Sequence, residues 1–195
     1  MAQIGLKYLI CSKLTETDSA ATYGTGLVMS KAIKVDLAIE INEGKLYADD
    51  QIVENIKEFK SGKLTLNGDH ISYETQSLIL GHTLQDIDSG PNKKMVAKGE
   101  DDGAFVGIGF YATTINGGVR KYRAIWFTKV KFGIPGESLE TKGDAINFQT
   151  PTIEGTILTD ITGTWKVEAT FTSEAEAKAW LNELASIETS GGTSE

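Results

Sequence analysis

The sequence predicts a mainly β fold, a β-sandwich or partly closed barrel of antiparallel strands with a flanking α-helix and a second helix near the C-terminus. Apolar residues recur with period two in several stretches, the spacing of strands with one buried face. An Asn-Gly pair separates two such stretches, where a tight hairpin needs positive φ angles. Only two segments combine three-and-four apolar spacing with capping residues.

Ile4, Leu6, Tyr8 and Ile10 repeat at every second position and predict the first strand. Ile33, Val35, Leu37, Ile39 and Ile41 alternate with Lys34, Asp36, Ala38 and Glu40, a long half-buried strand ending at Asn42-Glu43-Gly44. Asp69 is placed to cap a helix in which Ile71, Thr75, Leu78 and Ile79 share a face, and Gly81 supplies the left-handed residue that ends it. From Ala104 to Phe132 the pattern is a hairpin with Asn116-Gly117 as its loop, which sets Gly107 opposite Trp126 and Gly109 opposite Ala124. A large ring over a strand glycine covers otherwise bare backbone and pins register. Gly118 leaves room for a one-residue change of loop. Trp165, Val167, Ala169 and Phe171 predict a late strand, and Ser173 with Glu176 forms a capping box ahead of Ala177, Trp180, Leu181 and Leu184.

Three stretches stand outside this pattern: residues 13–30, rich in Thr, Ser and Gly; residues 46–60, which mix charge with isolated apolars; and residues 133–144, with a Pro135-Gly136 turn signal. A single chain is expected to gain little from ordering them. Residues 186–195 have the composition of a flexible terminus, which leaves 1–185 as one domain.

The 195 residues include one cysteine, so the fold asks for no disulfide and no oxidising compartment. No stretch approaches the roughly 20 apolar residues that span a bilayer, and the first residues lack a signal-peptide pattern. With 27 acidic against 19 basic residues the formal charge is −8, which opposes tight binding to duplex DNA. Such a surface serves solubility in any soluble protein.

The inventory for catalysis is thin. His70 and His82 have neither the spacing of helical zinc ligands nor the cysteines of a finger. Gly107-Ile108-Gly109 and Gly24-Thr25-Gly26 lack the third glycine or the Lys-Ser/Thr of a phosphate loop, and no Gly-x-Ser-x-Gly elbow occurs. Acidic pairs such as Asp49-Asp50 and Asp101-Asp102 are expected to be solvated loop residues rather than a glycosidase pair. Arg120, Lys121, Arg123, Lys129 and Lys131 are expected to pair with acidic neighbours, since no exposed aromatics interleave them at groove-reading spacing. Neither an enzyme nor a cofactor is expected.

The run Gly133-Ile134-Pro135-Gly136-Glu137, Thr141-Lys142-Gly143, Ile146-Asn147-Phe148-Gln149-Thr150-Pro151 and Glu154-Gly155-Thr156 resembles the signature of the major tail proteins of long-tailed bacteriophages. Lys45-Leu46-Tyr47-Ala48-Asp49-Asp50, Lys63-Leu64-Thr65-Leu66-Asn67 and Leu80-Gly81-His82 extend the resemblance upstream in the same order. It implies a structural subunit that forms hexameric rings stacked as a tail tube, the conduit for DNA. The implied partners are other copies of the chain, the tail initiator, tape-measure and terminator proteins, and DNA in transient, non-specific passage. The implied location is the virion, after assembly in the bacterial cytoplasm.

Carried onto this sequence, the resemblance sets Leu46, Tyr47, Ala48, Asp49 and Asp50 at the contact between rings and residues 13–30 as an arm. It also gives the acidic charge a use, with Asp36 and Glu40 as candidates for the lumen wall. The competing expectation is a monomeric immunoglobulin-like domain that binds a glycan or protein. Its mark would be aromatics clustered in loops, whereas Trp126 and Trp165 sit in strand patterns and Trp180 on a helix face.

Overall fold

The computed structural model describes residues 2–88, 90–137, 140–141 and 150–188. The strands are β1 (Ala2–Glu16), β2 (Ala21–Tyr23), β3 (Leu27–Ser30), β4 (Ala32–Ala48), β5 (Gln51–Gly68), β6 (Thr83–Asp86), β7 (Lys93–Val96), β8 (Val106–Asn116), β9 (Val119–Phe132), β10 (Thr152–Leu158) and β11 (Lys166–Phe171). The helices are α1 (Tyr73–Leu80) and α2 (Glu174–Leu184). Lys142-Gly143 and Ile146-Asn147-Phe148-Gln149 of the motif run, residues 138–139 and 144 of the 133–144 stretch, and residues 189–195 lie outside the described residues.

The fold is mainly β, as the alternation predicts. Nine strands make one sheet in the order β2-β1-β8-β9-β10-β5-β4, with β3 added to β1 and β11 to β9, while β6 and β7 form a separate hairpin. The large sheet is antiparallel and is not closed into a barrel. Its path ends at β4, which among the described residues pairs only with β5.

β1 divides the interior, because successive residues of a strand point to opposite faces. Leu9 and Cys11 face a large cluster with Leu64, Leu66, Ile108, Phe127 and Ile153, closed on one side by Ile79 and Leu80 of α1. Ile10 faces a smaller cluster with Tyr111, Ala124 and Trp126, roofed by Ala177 and Leu181 of α2. Register shifts in β1 coincide with left-handed backbone at Gly5 (φ 74°) and Tyr8 (φ 61°), which breaks the expected stripe and leaves Ile4 exposed.

The β8–β9 hairpin turns one residue later than expected. Gly117 and Gly118 take the positive φ angles, 58° and 82°, and Asn116 pairs with Val119. Two glycines carry that backbone at less steric cost than Asn-Gly. Moving the loop by one residue moves the register by two, so every side chain keeps its face. Trp126 now lies opposite Gly109, and a Cβ on Gly107 or Gly109 would stand 2.2 or 2.7 Å from its ring. One indole therefore covers both glycines, with Tyr23 edge-on at 5.1 Å.

The helix ends follow their capping chemistry. The α2 capping box of Ser173 and Glu176 forms as expected. Gly81 ends α1 at φ 77°, where a side chain would also meet the Asp102 carbonyl oxygen at 2.7 Å. The N-cap of α1 is Ser72 rather than Asp69, whose carboxylate instead accepts from the Lys31 and His70 amides, each at 2.9 Å.

Residues 13–30 are not a loose segment here. β2 and β3 pair with β1, Met29 is buried, and the Tyr23 hydroxyl donates to the Thr128 carbonyl at 2.9 Å. Packing also continues past residue 185, since Ile187 joins the α2 cluster and the Ser186 hydroxyl donates to the Tyr23 carbonyl at 3.0 Å. Arg123, Lys129 and Lys131 pair with Glu168, Glu16 and Asp102 at 2.6, 2.5 and 2.6 Å, as expected, whereas Arg120 and Lys121 have no ion pair among the described residues. The Phe105 ring also lies against the Lys129 and Lys131 ammonium groups, at 4.8 and 4.9 Å.

Trp126→Ala empties the space between the two β8 glycines and α2, and is expected to lower stability by about 3–5 kcal/mol in denaturant unfolding. A second expectation concerns acid stability. The Tyr111 hydroxyl donates to Glu174 at 2.5 Å and Lys7 lies 3.4 Å away, which together hold the Glu174 carboxyl below its ordinary pKa. An unfolded glutamate titrates near pH ~4.3, so this contribution is complete above that pH and is lost as acid titrates the folded group. Glu174→Gln should therefore be less stable than the parent near neutrality, and the two unfolding midpoints should converge on acidification.

Candidate assembly surface

The strongest departure from expectation is the length and regularity of the β4–β5 ribbon. Asn42-Glu43-Gly44 does not end β4, which runs 17 residues to Ala48, and residues 46–60 belong to a registered antiparallel pair. A weak turn signal loses to the cross-strand ladder when a better turn lies further along. That turn is Asp49-Asp50, with φ 50° and 60° between the paired Ala48 and Gln51. Both central residues of a type I′ turn are left-handed, and Asp tolerates that backbone better than most side chains.

Pairing of β10 with β5 stops at Gly62, so residues 51–61 have only β4 beside them among the described residues. The ribbon from residue 41 to residue 58 thus extends about 30 Å with no further described strand for support. Residues 36–58 are exposed throughout.

This exposure falls on apolar side chains. Val35, Leu37, Ile39 and Ile41 lie opposite Leu66, Leu64, Gly62 and Phe59. Leu64 and Leu66 are buried in the core, yet Leu37, Ile39 and Ile41 remain 40–49% exposed, since among the described residues no strand pairs with this edge. The half-buried strand of the sequence analysis is therefore uncovered beyond Val35. Towards the tip, Leu46, Tyr47, Ile52, Val53 and Ile56 are all more than half exposed. Covering each of these side chains is worth on the order of 1 kcal/mol that the single chain does not gain. The open backbone edge of β4 adds unpaired donors and acceptors of the kind that recruit another strand.

The candidate residues separate by position. Leu46, Tyr47 and Ala48 end β4, and Asp49 and Asp50 are the turn itself. Asp36 and Glu40 lie on the opposite, polar face, across from Thr65 and Ser61. Their carboxylates are not isolated: Lys34 lies 2.6 Å from Asp36, and Lys60 lies 3.5 Å from Glu40. On β5, Lys63 meets Glu154 of β10 at 2.8 Å. Glu43, nearer the tip, has its pKa lowered by a hydrogen bond from Lys45 and by the charge of Lys57. Ile52, Val53 and Ile56 were not singled out from sequence; the period-two signal fades there because the register shifts between Leu46 and Tyr47.

At the ribbon's base the open edge borders a cleft of about 450 Å³ between β4 and the face of β1, β8 and β9. Phe110, Ile125 and Phe127 line it together with Leu6, Val35 and Leu37. Lys34, Arg123 and Lys166 are its charged residues, and no carboxylate lines it among the described residues.

The described residues include no cluster of three or more His, Cys, Asp or Glu able to hold a metal ion. Burial pushes the Cys11 thiol up to about 12, far from a reactive thiolate. Trp165 stacks on Phe59 at 4.4 Å, and Trp180 packs against Phe171 at 5.8 Å, so both rings serve packing. The sequence matches no protein-family model and no curated protein.

The turn geometry yields a local test. Ala at both left-handed positions costs about 1–2 kcal/mol per residue, so Asp49→Ala with Asp50→Ala should speed amide exchange near the tip. The global unfolding midpoint should hardly move, because the core lies far from the turn. Asp49→Asn with Asp50→Gly keeps the turn type, and should retain parental exchange rates while removing both charges.

Proposed function

We propose that this chain is a structural subunit that assembles into hexameric rings stacked as a phage tail tube, the conduit for DNA delivery. The observation that carries the proposal is the β4–β5 ribbon, an exposed apolar row on an open strand edge that ends in an exposed apolar tip. A subunit whose edge is paired by its neighbour and whose tip is buried by the next ring has a use for both. The motif resemblance along the chain supports the same reading. Other copies, the tail initiator, tape-measure and terminator proteins are its partners, and passing DNA is a transient one. No cofactor or catalytic step is part of the proposal. None of the helices among the described residues is long and apolar enough to cross a membrane.

On this reading Leu46, Tyr47, Ala48, Asp49 and Asp50 bridge rings, and Asp36 and Glu40 face the lumen. A lumen wall of paired opposite charges presents a weak field to phosphate, which keeps DNA from accumulating favourable contacts over many rings. A second reading, a monomeric immunoglobulin-like domain for a glycan or protein ligand, is favoured only by the cleft at the base of β4.

Sedimentation and negative-stain imaging of concentrated protein, with and without a tail initiator, distinguish the two. Rings or tubes are the expected result, and a compact monomer under every condition favours the binding domain. Tyr47→Ala combined with Asp49→Asn and Asp50→Gly should leave monomer stability nearly unchanged and block ring stacking. Asp36→Lys with Glu40→Lys should permit tube assembly but slow genome ejection, most strongly at low ionic strength. Unchanged ejection in that variant would assign both carboxylates to solubility.

A further inference from the structure

We propose that the cleft at the base of β4 is the receptor for the ribbon tip of a second copy of the chain. The inference rests on the assembly reading above and adds the partner site that reading leaves unnamed. The two surfaces match in chemistry. The tip carries exposed Tyr47, Ile52 and Val53 around the acidic turn Asp49-Asp50. The cleft pairs an apolar floor of Phe110, Ile125 and Phe127 with Lys34, Arg123 and Lys166.

The cations of the cleft are only partly compensated inside the chain. Arg123 and Lys166 share one carboxylate, that of Glu168, at 2.6 and 3.1 Å. Two positive charges against one leave an attraction for a further carboxylate, and Asp49 and Asp50 supply it. Gly5 adds bare backbone to the cleft wall, with nothing within 4 Å of where its Cβ would stand. An incoming strand can approach closely there.

The donor of the tip has to be another molecule. Leu37 lines the cleft and Asp49 is in the turn, and the strand that separates them spans about 40 Å. A tip held that far from its own cleft reaches only the cleft of a neighbour. Because tip and cleft are different surfaces of one chain, the contact is heterologous, and such a contact either closes a ring or runs on open. On the ring-stacking reading it runs on, from each ring to the next.

The test uses the full chain carrying Gln51→Cys, beside the turn, and Gln3→Cys, at the cleft, both at exposed positions, with buried Cys11 as a silent background. A control chain carries Gln51→Cys and Gln85→Cys, which moves the second thiol to the exposed β6 strand of the separate hairpin. Both are assembled at high concentration and treated with a short bis-maleimide. The expected result is tubes in both cases, with a denaturing-gel ladder of linked chains for the 51/3 pair at least tenfold stronger than for the 51/85 pair. Arg123→Gln with Lys166→Gln should shorten tubes made from otherwise native protein, while isolated rings persist. Tubes with equal or absent linkage at the 51/3 pair overturn the receptor assignment and leave the assembly reading standing. Particles no larger than a monomer, in the cysteine variants and the native chain alike, overturn both.

Discussion

The indole of Trp126 lies across Gly107 and Gly109, and the rest of the packing is arranged around that contact. Two strand positions without side chains let the ring lie flat on β8, leaving room above for Leu181 of α2 and beside it for Tyr23. α2 docks there through a narrow apolar stripe, with its polar groups satisfied at the rim. The Tyr8 hydroxyl donates to Asn182 at 2.6 Å, and the Tyr111 hydroxyl to Glu174 at 2.5 Å. β2 is held through Tyr23, so residues that look loose in composition are drawn into the body by one aromatic anchor. On the other face of β1, the larger cluster is closed by α1, whose end fits closely because Gly81 and Gly103 both meet backbone.

That body is well covered on one side of the sheet path and open at its end. Among the described residues β4 pairs with β5 alone, and beyond Gly62 even β5 loses its second neighbour. A two-stranded ribbon in water is marginal without a third strand or a packed face. This one keeps its register through continuous pairing and a left-handed two-residue turn, with Glu43 between Lys45 and Lys57 as a minor addition. Its apolar residues are not placed for the stability of the single chain. They are the feature that a partner surface would use.

The electrostatics divide along the same line. The acidic surplus of the whole chain does not translate into an acidic β4–β5 face, where Lys34, Lys60 and Lys63 each meet a carboxylate. Formal charge describes solubility and long-range steering, while the field at a given wall depends on which opposite charges share it. The cleft at the base of β4 shows the reverse imbalance, cationic in an acidic molecule.

What the sequence determined by itself was local: the alternation that makes the fold mainly β, the capping box of α2, the left-handed end of α1 at Gly81, and the burial of Trp126 over strand glycines. These follow from nearest-neighbour chemistry, and a loop shifted by one residue left every face of the β8–β9 hairpin unchanged. The ring-bridging candidates Leu46 to Asp50 were legible as a segment, but not as a strand end and a type I′ turn. Only the tertiary structure decided where β4 ends, because the competing turns at Asn42-Glu43-Gly44 and Asp49-Asp50 are resolved by pairing with β5. Only it decided that residues 13–30 fold back onto β1. Above all, only it decided which apolar faces are covered, since period two tells which side of a strand is apolar and says nothing about whether another layer lies against it.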